Sequence, residues 1–365
     1  MKLLVFPKDP NPYQELLYRQ LQGKVERAYL DVSQQSLLRF VSFYPLLICN
    51  LVLYRLRGYK LFHLHWIYPF YVPRWVPLHR QLSYVQIRLF YVLLALLGYK
   101  VIWTIHNVVP QMPQTPNDEL LMQKLGKLAQ AKFIHSRSAL ALMEQHHVST
   151  QNTYLIPHGN YKGVYPDMIT RAEARKKLGL KSSDTVLLFF GNIVPYKGLD
   201  ALLDVTDRIT DPHVRIVLAG RSNSEALHQR INRSVQAGRA QYYGGYIADT
   251  DVAAYFRAAD AVCLPFAEIT TSGSTVLALT FGKPVITPRM GALNDIPEAA
   301  GYFYDPADPH GLEDALHRAI ANPKQLAQHG SAAERYAQSL DWSVLAPKAY
   351  EVYERVLRGD TNDKS

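Results

Sequence analysis

A group of polar residues near the amino terminus is the first candidate for chemistry. Asp9 follows the apolar segment 2–6, and Asn11 and Tyr13 come shortly after it. A carboxylate in this position could take a proton from a substrate hydroxyl group, and Asn11 could cap a helix. Asp9 could equally be an ordinary turn residue. We predict Asp9 as a catalytic base, with Asn11 and Tyr13 as substrate contacts.

Two further apolar segments end in histidine. His65 and Trp66 close the sequence HLHW, and His106 and Asn107 lie within TIHNV. Imidazole titrates near neutral pH, so either histidine could bind a hydroxyl group or accept a proton. We predict His106 as the alternative to Asp9 for the base, and the other three residues as substrate contacts.

The remaining histidines near these segments suggest no metal site. From the alternation of side chains along HLHW, we expect His63 on the opposite face of the strand from His65. Strand ends supply no local pair of ligands, and no cysteine is nearby, so no metal is predicted. His158 and Tyr161 lie in PHGNY, where Gly159 permits a tight turn. They are predicted substrate contacts, although a hinge loop would use the same residue types.

The second half of the chain contains two possible phosphate contacts. Gly191 ends an apolar segment, and Lys197 follows in GNIVPYKG, where we expect it to begin a helix. A lysine near the amino terminus of a helix can neutralise a phosphate. We predict that Gly191 and Lys197 belong to such a site.

A run of hydroxyl residues gives a stronger signal for anion binding. Glu268 opens EITTSGS, in which Thr271, Ser272, Gly273 and Ser274 precede a helical pattern. Free amide groups at a helix start, together with hydroxyl groups, can bind an anion. The sequence is not a P-loop, because GxxxxGK[ST] does not occur, and an ordinary helix cap would look similar. We predict all five residues as ligand contacts, with Glu268 binding hydroxyl groups.

Alternating strands and helices must position these residues. This alternation predicts an α/β fold with two doubly wound parallel sheets and a boundary after Pro157. The domains are predicted at 1–160 and 161–340, with a last helical region at 341–365. Strands are expected at 2–6, 60–66, 100–105, 131–135, 153–156, 185–190, 214–219, 241–246, 261–265 and 284–287, and helical patterns at 197–209, 251–259, 275–281, 323–339 and 341–357.

The charge is concentrated in the first part of the chain. The 365 residues carry a net charge of +9, and residues 1–110 account for all of it, with 13 Lys or Arg against 4 Asp or Glu. No acidic residue occurs between Asp31 and Asp118, a stretch rich in aromatic residues and leucine. This pattern favours contact with an anionic surface. Because the stretch is strongly apolar, a membrane surface fits better than a nucleic acid.

Two apolar segments lie within this acid-free stretch. One lies between Arg39 and Arg55, and the other covers 81–98 with Arg88 inside it. Neither reaches the roughly 20 apolar residues of a spanning helix, so we expect core helices or helices at a membrane interface. The two cysteines suit a reducing compartment, and the amino terminus does not read as a signal peptide.

The second half resembles the nucleotide-binding domain of GT-B glycosyltransferases. The matching pieces are FFGNIVPYKGLDALL, VRIVLAG, YYGGYIADTDVAAYFRAADAVCLPF and VLALTFGKPVITP. With NPY, HLHW, TIHNV and PHGNY in the first half, most of the chain is similar to the bacterial exopolysaccharide mannosyltransferases that build xanthan side chains.

This resemblance implies two Rossmann-like domains facing across a cleft. A nucleotide sugar, GDP-mannose in preference to a UDP-sugar, would bind the second domain, with Tyr246 near the base. A polyprenyl-diphosphate-linked oligosaccharide would bind the first. The last helix would cross back to the first domain. The enzyme would be cytoplasmic and peripheral on the inner face of the plasma membrane, with no metal or other cofactor and no nucleic acid partner.

The chain departs from the commonest retaining GT-B pattern at three positions. Leu277 stands where those enzymes have their second glutamate, Glu268 is one residue out of register for the first, and Asn192 replaces an arginine. These departures argue against the retaining mechanism, and the resemblance to the xanthan-type enzymes favours an inverting transfer, for which Asp9 or His106 would be the base. A retaining enzyme with altered ribose contacts, a sugar-nucleotide epimerase and a non-catalytic membrane scaffold remain alternatives.

Overall fold

The structure, a computed structural model, describes residues 1–9, 11–30, 37–110, 112–222 and 224–360, and only the backbone of 37–42. The chain forms two compact units. The first unit is Met1–Pro157 together with the chain from Trp342 onward, and the second unit is His158–Asp341.

A six-stranded parallel sheet with intervening helices forms most of the first unit. Its elements in chain order are β1 (Lys2–Phe6), α1 (Pro12–Arg19), β2 (Glu26–Tyr29), α2 (Leu37–Leu56), β3 (Leu61–Leu64), α3 (His79–Leu96), β4 (Lys100–Ile105), α4 (Asp118–Leu128), β5 (Ala131–Ile134), α5 (Ser138–Gln145) and β6 (Thr153–Leu155). The strand order is β2-β1-β3-β4-β5-β6, and every pair is parallel. The order reverses between β1 and β3, and ligands of such sheets bind beyond the carboxyl ends of the strands at that point. Asp9 and Trp66 follow these two strands.

The second unit has the same architecture with a different strand order. Its elements are α6 (Arg171–Lys177), β7 (Thr185–Phe190), α7 (Leu199–Thr206), β8 (Val214–Gly220), α8 (Glu225–Gln236), β9 (Ala240–Gly244), α9 (Asp249–Ala258), β10 (Ala261–Cys263), α10 (Gly273–Thr280), β11 (Val285–Pro288), β12 (Gly301–Tyr304), α11 (Gly311–Ala321) and α12 (Pro323–Ser339). The order β12-β11-β10-β7-β8-β9 places the reversal between β7 and β10. Gly191 and Glu268 lie on the segments that follow those strands.

The last helix belongs to the first unit. Helix α13 (Trp342–Arg358) packs against α1, and its Tyr353 is fully buried. Its apolar positions repeat with helical spacing, which gives it one face to bury.

The ten predicted strands are all present, with ends within two residues of the prediction. The prediction missed β2 and β12, each of which lies at the edge of its sheet. Strand β2 reads ERAY, with no residue fully buried, and β12 begins with Gly301, so neither carries the apolar run of a central strand.

The two apolar segments of the first unit are the helices α2 and α3. Both bury one side in the same core, through residues such as Phe43, Leu47, Ile87 and Phe90. Within the described residues, no helix has the length and apolar character needed to span a bilayer.

Candidate functional site

The loop after β7 and the start of α10 come together in the second unit. The Lys197 Nζ atom donates to the Ser274 Oγ atom at 3.3 Å. Gly191 has a φ of +103°, and a Cβ atom on it would lie 2.9 Å from Lys197 Nζ and 3.1 Å from Ser274 Oγ. Only glycine fits this backbone and leaves both groups in place. The structure therefore unites three of the predicted phosphate contacts in a group that we call the cradle.

Helix α10 begins at the cradle with an ordinary side-chain cap. Ser272 Oγ accepts from the Thr275 backbone N–H at 3.1 Å and from Thr275 Oγ1 at 2.9 Å. The Ser272 oxygen thus caps the helix, which is the alternative that the sequence left open. The backbone amides of Gly273 and Ser274 follow in the first turn, where a helix can bind an anion.

Lys197 lies before α7 rather than at its start, which corrects the prediction. Lys197 ends a 3₁₀ turn, and α7 begins only at Leu199. Gly198, between them, has a φ of +70°, and a Cβ atom there would lie 1.8 Å from the Pro265 carbonyl oxygen. This close approach interrupts the helix and directs Lys197 to α10 instead.

The charge on Lys197 is held in a buried position. The side chain is 7% exposed, and burial lowers its pKa to about 8. The ammonium group is therefore largely protonated at neutral pH but poorly solvated. A phosphate bound at the cradle would stabilise it, and the first-turn amides of α10 would contribute further donors.

Tyr161 and His158 lie beside the same helix start. A Cβ atom on Gly273 would lie 2.7 Å from the Tyr161 hydroxyl, which is 3.5 Å from His158 Nε2. His158 Nδ1 donates to the Gly159 carbonyl at 2.9 Å, and burial lowers the pKa of this histidine to about 4. The ring is therefore neutral with its Nε2 lone pair toward Tyr161. Both predicted contacts thus belong to the second unit, next to the cradle.

Other predicted contacts lie outside the cradle. Glu268 is exposed, Thr271 is half-buried, and Tyr246 is 82% exposed with its hydroxyl donating to Asp249 at 3.2 Å. The contacts of the described residues do not join any of these three side chains to Lys197 or Ser274.

Arg221 is a cation near the cradle that the sequence analysis missed. It follows Gly220, the last residue of β8, on which a Cβ atom would lie 2.0 Å from the Gly191 carbonyl oxygen. The Ile193 backbone N–H also donates to the Arg221 carbonyl at 2.8 Å. The signal was present in the sequence, since Gly-Arg directly follows the predicted strand 214–219.

Three strand ends of the first unit also meet. Asp9 Oδ2 accepts from Trp66 Nε1 at 2.8 Å, and Asp9 Oδ1 accepts from the Asn11 backbone N–H at 2.8 Å. The Trp66 ring stacks on His106 with 4.4 Å between centroids and 10° between planes. Asn11 Oδ1 accepts from the Tyr13 N–H at 2.9 Å and caps α1. Asp9 therefore has both the turn contact and a contact with Trp66.

Histidines fill the space behind Trp66. His65 Nδ1 lies 3.3 Å from His106 Nε2, and His106 Nδ1 lies 3.3 Å from His135 Nε2. His135 was not predicted, although it follows β5 as His65 and His106 follow their strands. Tyr13 packs edge-on against all three rings at 5.3–5.8 Å, and it is 2% exposed.

The expected orientation of His63 is wrong. Its ring centroid lies 4.2 Å from that of His65, because residues two apart on a strand share a face. Burial is the first cause that lowers the pKa of His63 to about 3 and that of His65 well below its usual value. Within the described ranges, no three or more His, Cys, Asp or Glu side chains are arranged to hold a metal ion. Asn107 is half-buried.

Comparison with known proteins relates this arrangement to a family. Residues 170–336 match the family model for glycosyl transferases group 1. A GDP-mannose:glycolipid 4-beta-D-mannosyltransferase of Xanthomonas campestris is 24% identical over 355 residues, which cover 96% of this chain and 90% of the relative.

Solved structures extend the likeness to the whole fold. HepE of Anabaena, solved with UDP and glucose, superposes with a TM-score of 0.77 at 16% identity and covers 97% of this chain and 99% of its own. Sucrose-phosphate synthase of Thermosynechococcus elongatus gives a TM-score of 0.75 at 20% identity, covering 98% and 99%. The chain is therefore a glycosyltransferase of the GT-B fold, and residues 170–336 of its second unit match the group 1 glycosyl transferases.

Proposed function

We propose that this enzyme transfers a mannosyl group from GDP-mannose to a lipid-linked oligosaccharide of the polyprenyl diphosphate type. The transfer inverts the anomeric centre and needs no metal ion. The cradle of Lys197, Ser274 and Gly191 is the observation that carries the proposal. The GDP-mannose and glycolipid specificity of the Xanthomonas relative supports the choice of donor and acceptor.

The cradle suits the leaving group of such a reaction. The bond from the anomeric carbon to the diphosphate breaks, and negative charge develops on the nucleotide. Lys197 and the first-turn amides of α10 can stabilise that charge, which a divalent ion does in other transferases. Tyr161 places its hydroxyl group beside Gly273, with His158 Nε2 as the acceptor of its proton.

The first unit supplies a base in this proposal. The acceptor hydroxyl forms the new bond to the anomeric carbon, and its proton passes to the carboxylate of Asp9. Both ring nitrogens of His106 lie against other histidines, so Asp9 is the better candidate. Asp9 is also partly exposed, whereas His106 is buried.

An exposed apolar surface on the first unit supports a lipid-linked acceptor. Helix α2 is joined to the chain that directly follows α3: Tyr99 donates to the Leu51 carbonyl at 2.6 Å, and Arg55 donates to the Leu97 carbonyl at 2.9 Å. Both helices bury one side in the same core. Their outward residues form a surface that we call the apolar face: Leu46, Ile48, Val52, Leu53 and Leu56 on α2, and Leu82, Val85, Leu89, Val92 and Leu96 on α3, each 36–80% exposed.

Charge points to an anionic bilayer as the occupant of the apolar face. A helix exposed to water normally carries polar residues on its outer side, so this face needs a partner. Basic residues border it, including Arg55, Arg57 and Arg88, and the sequence has no acidic residue between Asp31 and Asp118. Apolar insertion flanked by cations is the pattern of proteins that bind the interface of anionic membranes.

Thermal unfolding with GDP, UDP, dTDP and ADP, each with and without EDTA, tests the donor site. A ligand at a hundredfold excess over its dissociation constant stabilises the folded state by about 2.7 kcal/mol. We expect a shift with GDP that EDTA does not change. Transfer from GDP-mannose to a polyprenyl-diphosphate oligosaccharide should then give a β-linked product by NMR. An α-linked product would show a retaining enzyme, and a shift with UDP alone would refute the donor.

Sedimentation with vesicles tests the apolar face. We expect binding to vesicles with phosphatidylglycerol, weaker binding in high salt, and little binding to phosphatidylcholine alone. Leu56→Ser combined with Leu96→Ser should abolish binding, because these are the most exposed residues of the face. Met168→Ser with Val344→Ser alters exposed apolar residues elsewhere and should leave binding intact. Equal loss in both double variants would contradict the assignment.

A further inference from the structure

The carboxylate of Asp9 is oriented by two donors of different kinds. The Asn11 N–H is part of the local turn, whereas Trp66 comes from a different strand end, 57 residues away in sequence. The indole N–H can point at Asp9 only if the plane of the Trp66 ring is fixed. The flat ring that fixes it is His106, stacked at 4.4 Å.

Both ring nitrogens of His106 contact other histidines, and the contact of His135 with a backbone carbonyl decides which nitrogens donate and which accept. His135 Nδ1 lies 2.8 Å from the Ile156 carbonyl oxygen, which can only accept, so this nitrogen carries a proton. In the neutral ring, His135 Nε2 is then an acceptor, and His106 Nδ1 must donate to it. The same logic makes His106 Nε2 an acceptor for His65 Nδ1.

The chain therefore requires the Nδ1–H tautomer in three successive histidines. In the other tautomer of His106, its Nδ1 lone pair would face the lone pair of His135 Nε2 across one 3.3 Å contact. Its Nε2 proton would face the Nδ1 proton of His65 across the other. Burial, and then the neighbouring His63 and His135, lower the pKa of His65, so this ring does not escape the restriction by taking a second proton. Ring orientation and proton position are thus fixed together.

We propose that Trp66 and His106 are positioning residues that hold the carboxylate of Asp9, and that His135 sets the tautomer of His106. The line runs from the Ile156 carbonyl through His135, His106 and Trp66 to Asp9. This positioning role rests on the proposed function in one respect, which is the role of Asp9 as base. None of the three positioning residues transfers a proton to or from substrate.

The variant Trp66→Phe tests the contact with Asp9. Phenylalanine keeps a ring to stack on His106 and loses only the N–H donor. We expect kcat to fall about 10- to 100-fold, because small displacements of a base have large effects, with the dissociation constant of GDP unchanged. Tyr350→Phe removes a ring-borne donor on the surface of α13 and should leave kcat unchanged.

The pH profile separates positioning from a loss of packing. An N–H donor stabilises the charged carboxylate, so its removal should move the acidic limb of kcat to higher pH. Two other titratable groups lie near Asp9. Tyr68 has its pKa raised, first by burial and then by Asp9, and Lys8 adjoins Asp9 in sequence. Because the pKa of Tyr68 lies above its usual value, this group does not titrate on the acidic limb.

Nitrogen NMR of the histidine rings tests the second half of the proposal without any activity. In the wild type we expect protonated Nδ1 and unprotonated Nε2 in His65, His106 and His135. His135→Leu should release the tautomer of His106, whereas His135→Gln, which can still accept through its side-chain oxygen, should retain it. His213→Leu is an exposed control elsewhere.

The outcomes are distinguishable. Full activity and an unchanged pH profile in Trp66→Phe, with Asp9→Asn inactive, would overturn the positioning of Asp9 and leave the proposed function intact. A protonated His106 Nε2 in the wild type would overturn the tautomer assignment. If GDP-mannose supports no transfer by the wild type, the proposed function fails, and the NMR result still decides the histidine chain.

Discussion

Replacing Lys197 by methionine should make the protein more stable and a poorer nucleotide binder. The buried Nζ atom has its pKa lowered by burial from 10.5 to about 8. At about 1.36 kcal/mol per unit, the ammonium costs the folded state roughly 3 kcal/mol at neutral pH. Methionine has a similar length and no charge, so Lys197→Met should recover much of this cost.

The changes in melting temperature and in GDP affinity should both be large enough to measure. A gain of about 3 kcal/mol corresponds to a rise in melting temperature of about 6–12 °C for a unit of this length. Charge-assisted hydrogen bonds contribute about 1.5–3 kcal/mol, so GDP should bind about 10- to 150-fold more weakly. The variant should therefore melt higher without nucleotide and respond less to added GDP.

The pH dependence has a definite sign. The folded state holds its proton on Lys197 less tightly than the unfolded state, so the cost is full below pH 8. It decreases as pH rises from about 8 toward 10.5, where both states become neutral. The difference in stability between Lys197→Met and the wild type should shrink over that range.

Lys283 provides a matched control in the same unit. Burial also lowers its pKa to about 8, and its Nζ atom donates to the Ala259 carbonyl at 2.8 Å. It lies just before β11, at the opposite edge of the sheet from the start of α10. Lys283→Met should leave GDP affinity unchanged. The reasoning is refuted if Lys197→Met melts lower than the wild type, or if it binds GDP as tightly.

Three further predictions concern the same site. Gly191→Ala should weaken GDP binding at least tenfold in a titration, because its Cβ atom would displace Lys197 and Ser274. The control Gly238→Ala also has a positive φ, of +70°, but no atom within 4 Å, so it should lose only stability. Arg221→Gln should weaken GDP binding by about 2–10-fold, as expected for an exposed cation near a diphosphate, and equal affinity would remove Arg221 from the site. EDTA should leave mannosyl transfer unchanged, and rescue by a divalent ion after EDTA treatment would contradict the metal-free proposal.

The sequence predicted the strands well because central parallel strands are nearly continuous apolar runs. Segments such as 185–190 and 100–105 coincide with β7 and β4. The two missed strands, β2 and β12, are edge strands without a continuous apolar run, since β2 contains Glu26 and Arg27 and β12 begins with Gly301. Local pattern thus identifies a strand where its residues form such a run, and it fails where charged residues or glycine interrupt the run.

The site residues also separate into those that the local sequence could identify and those whose contacts depend on packing. Strand-end residues could be found from sequence because the carboxyl ends of parallel strands share one edge, and Asp9, Trp66 and His106 were each identified as candidates on that ground. The contact of Trp66 with Asp9 and the stacking on His106 could not be predicted, since both depend on side-chain rotamers in a packed interior. The capping role of Ser272 depended on where α10 begins, and the position of Lys197 depended on the close backbone approach at Gly198, just before α7.

By itself the sequence determined the α/β class, the alternation of elements, the basic acid-free stretch and the polar residues at strand ends. These are properties of local periodicity and composition, which each segment carries independently of the others. Only the tertiary structure decided which of those residues meet: Lys197 with Ser274, His65 with His106 and His135, and the outward turn of the leucines on α2 and α3. Such contacts join residues far apart in the chain, so they exist only once the strands are ordered and the helices packed on them.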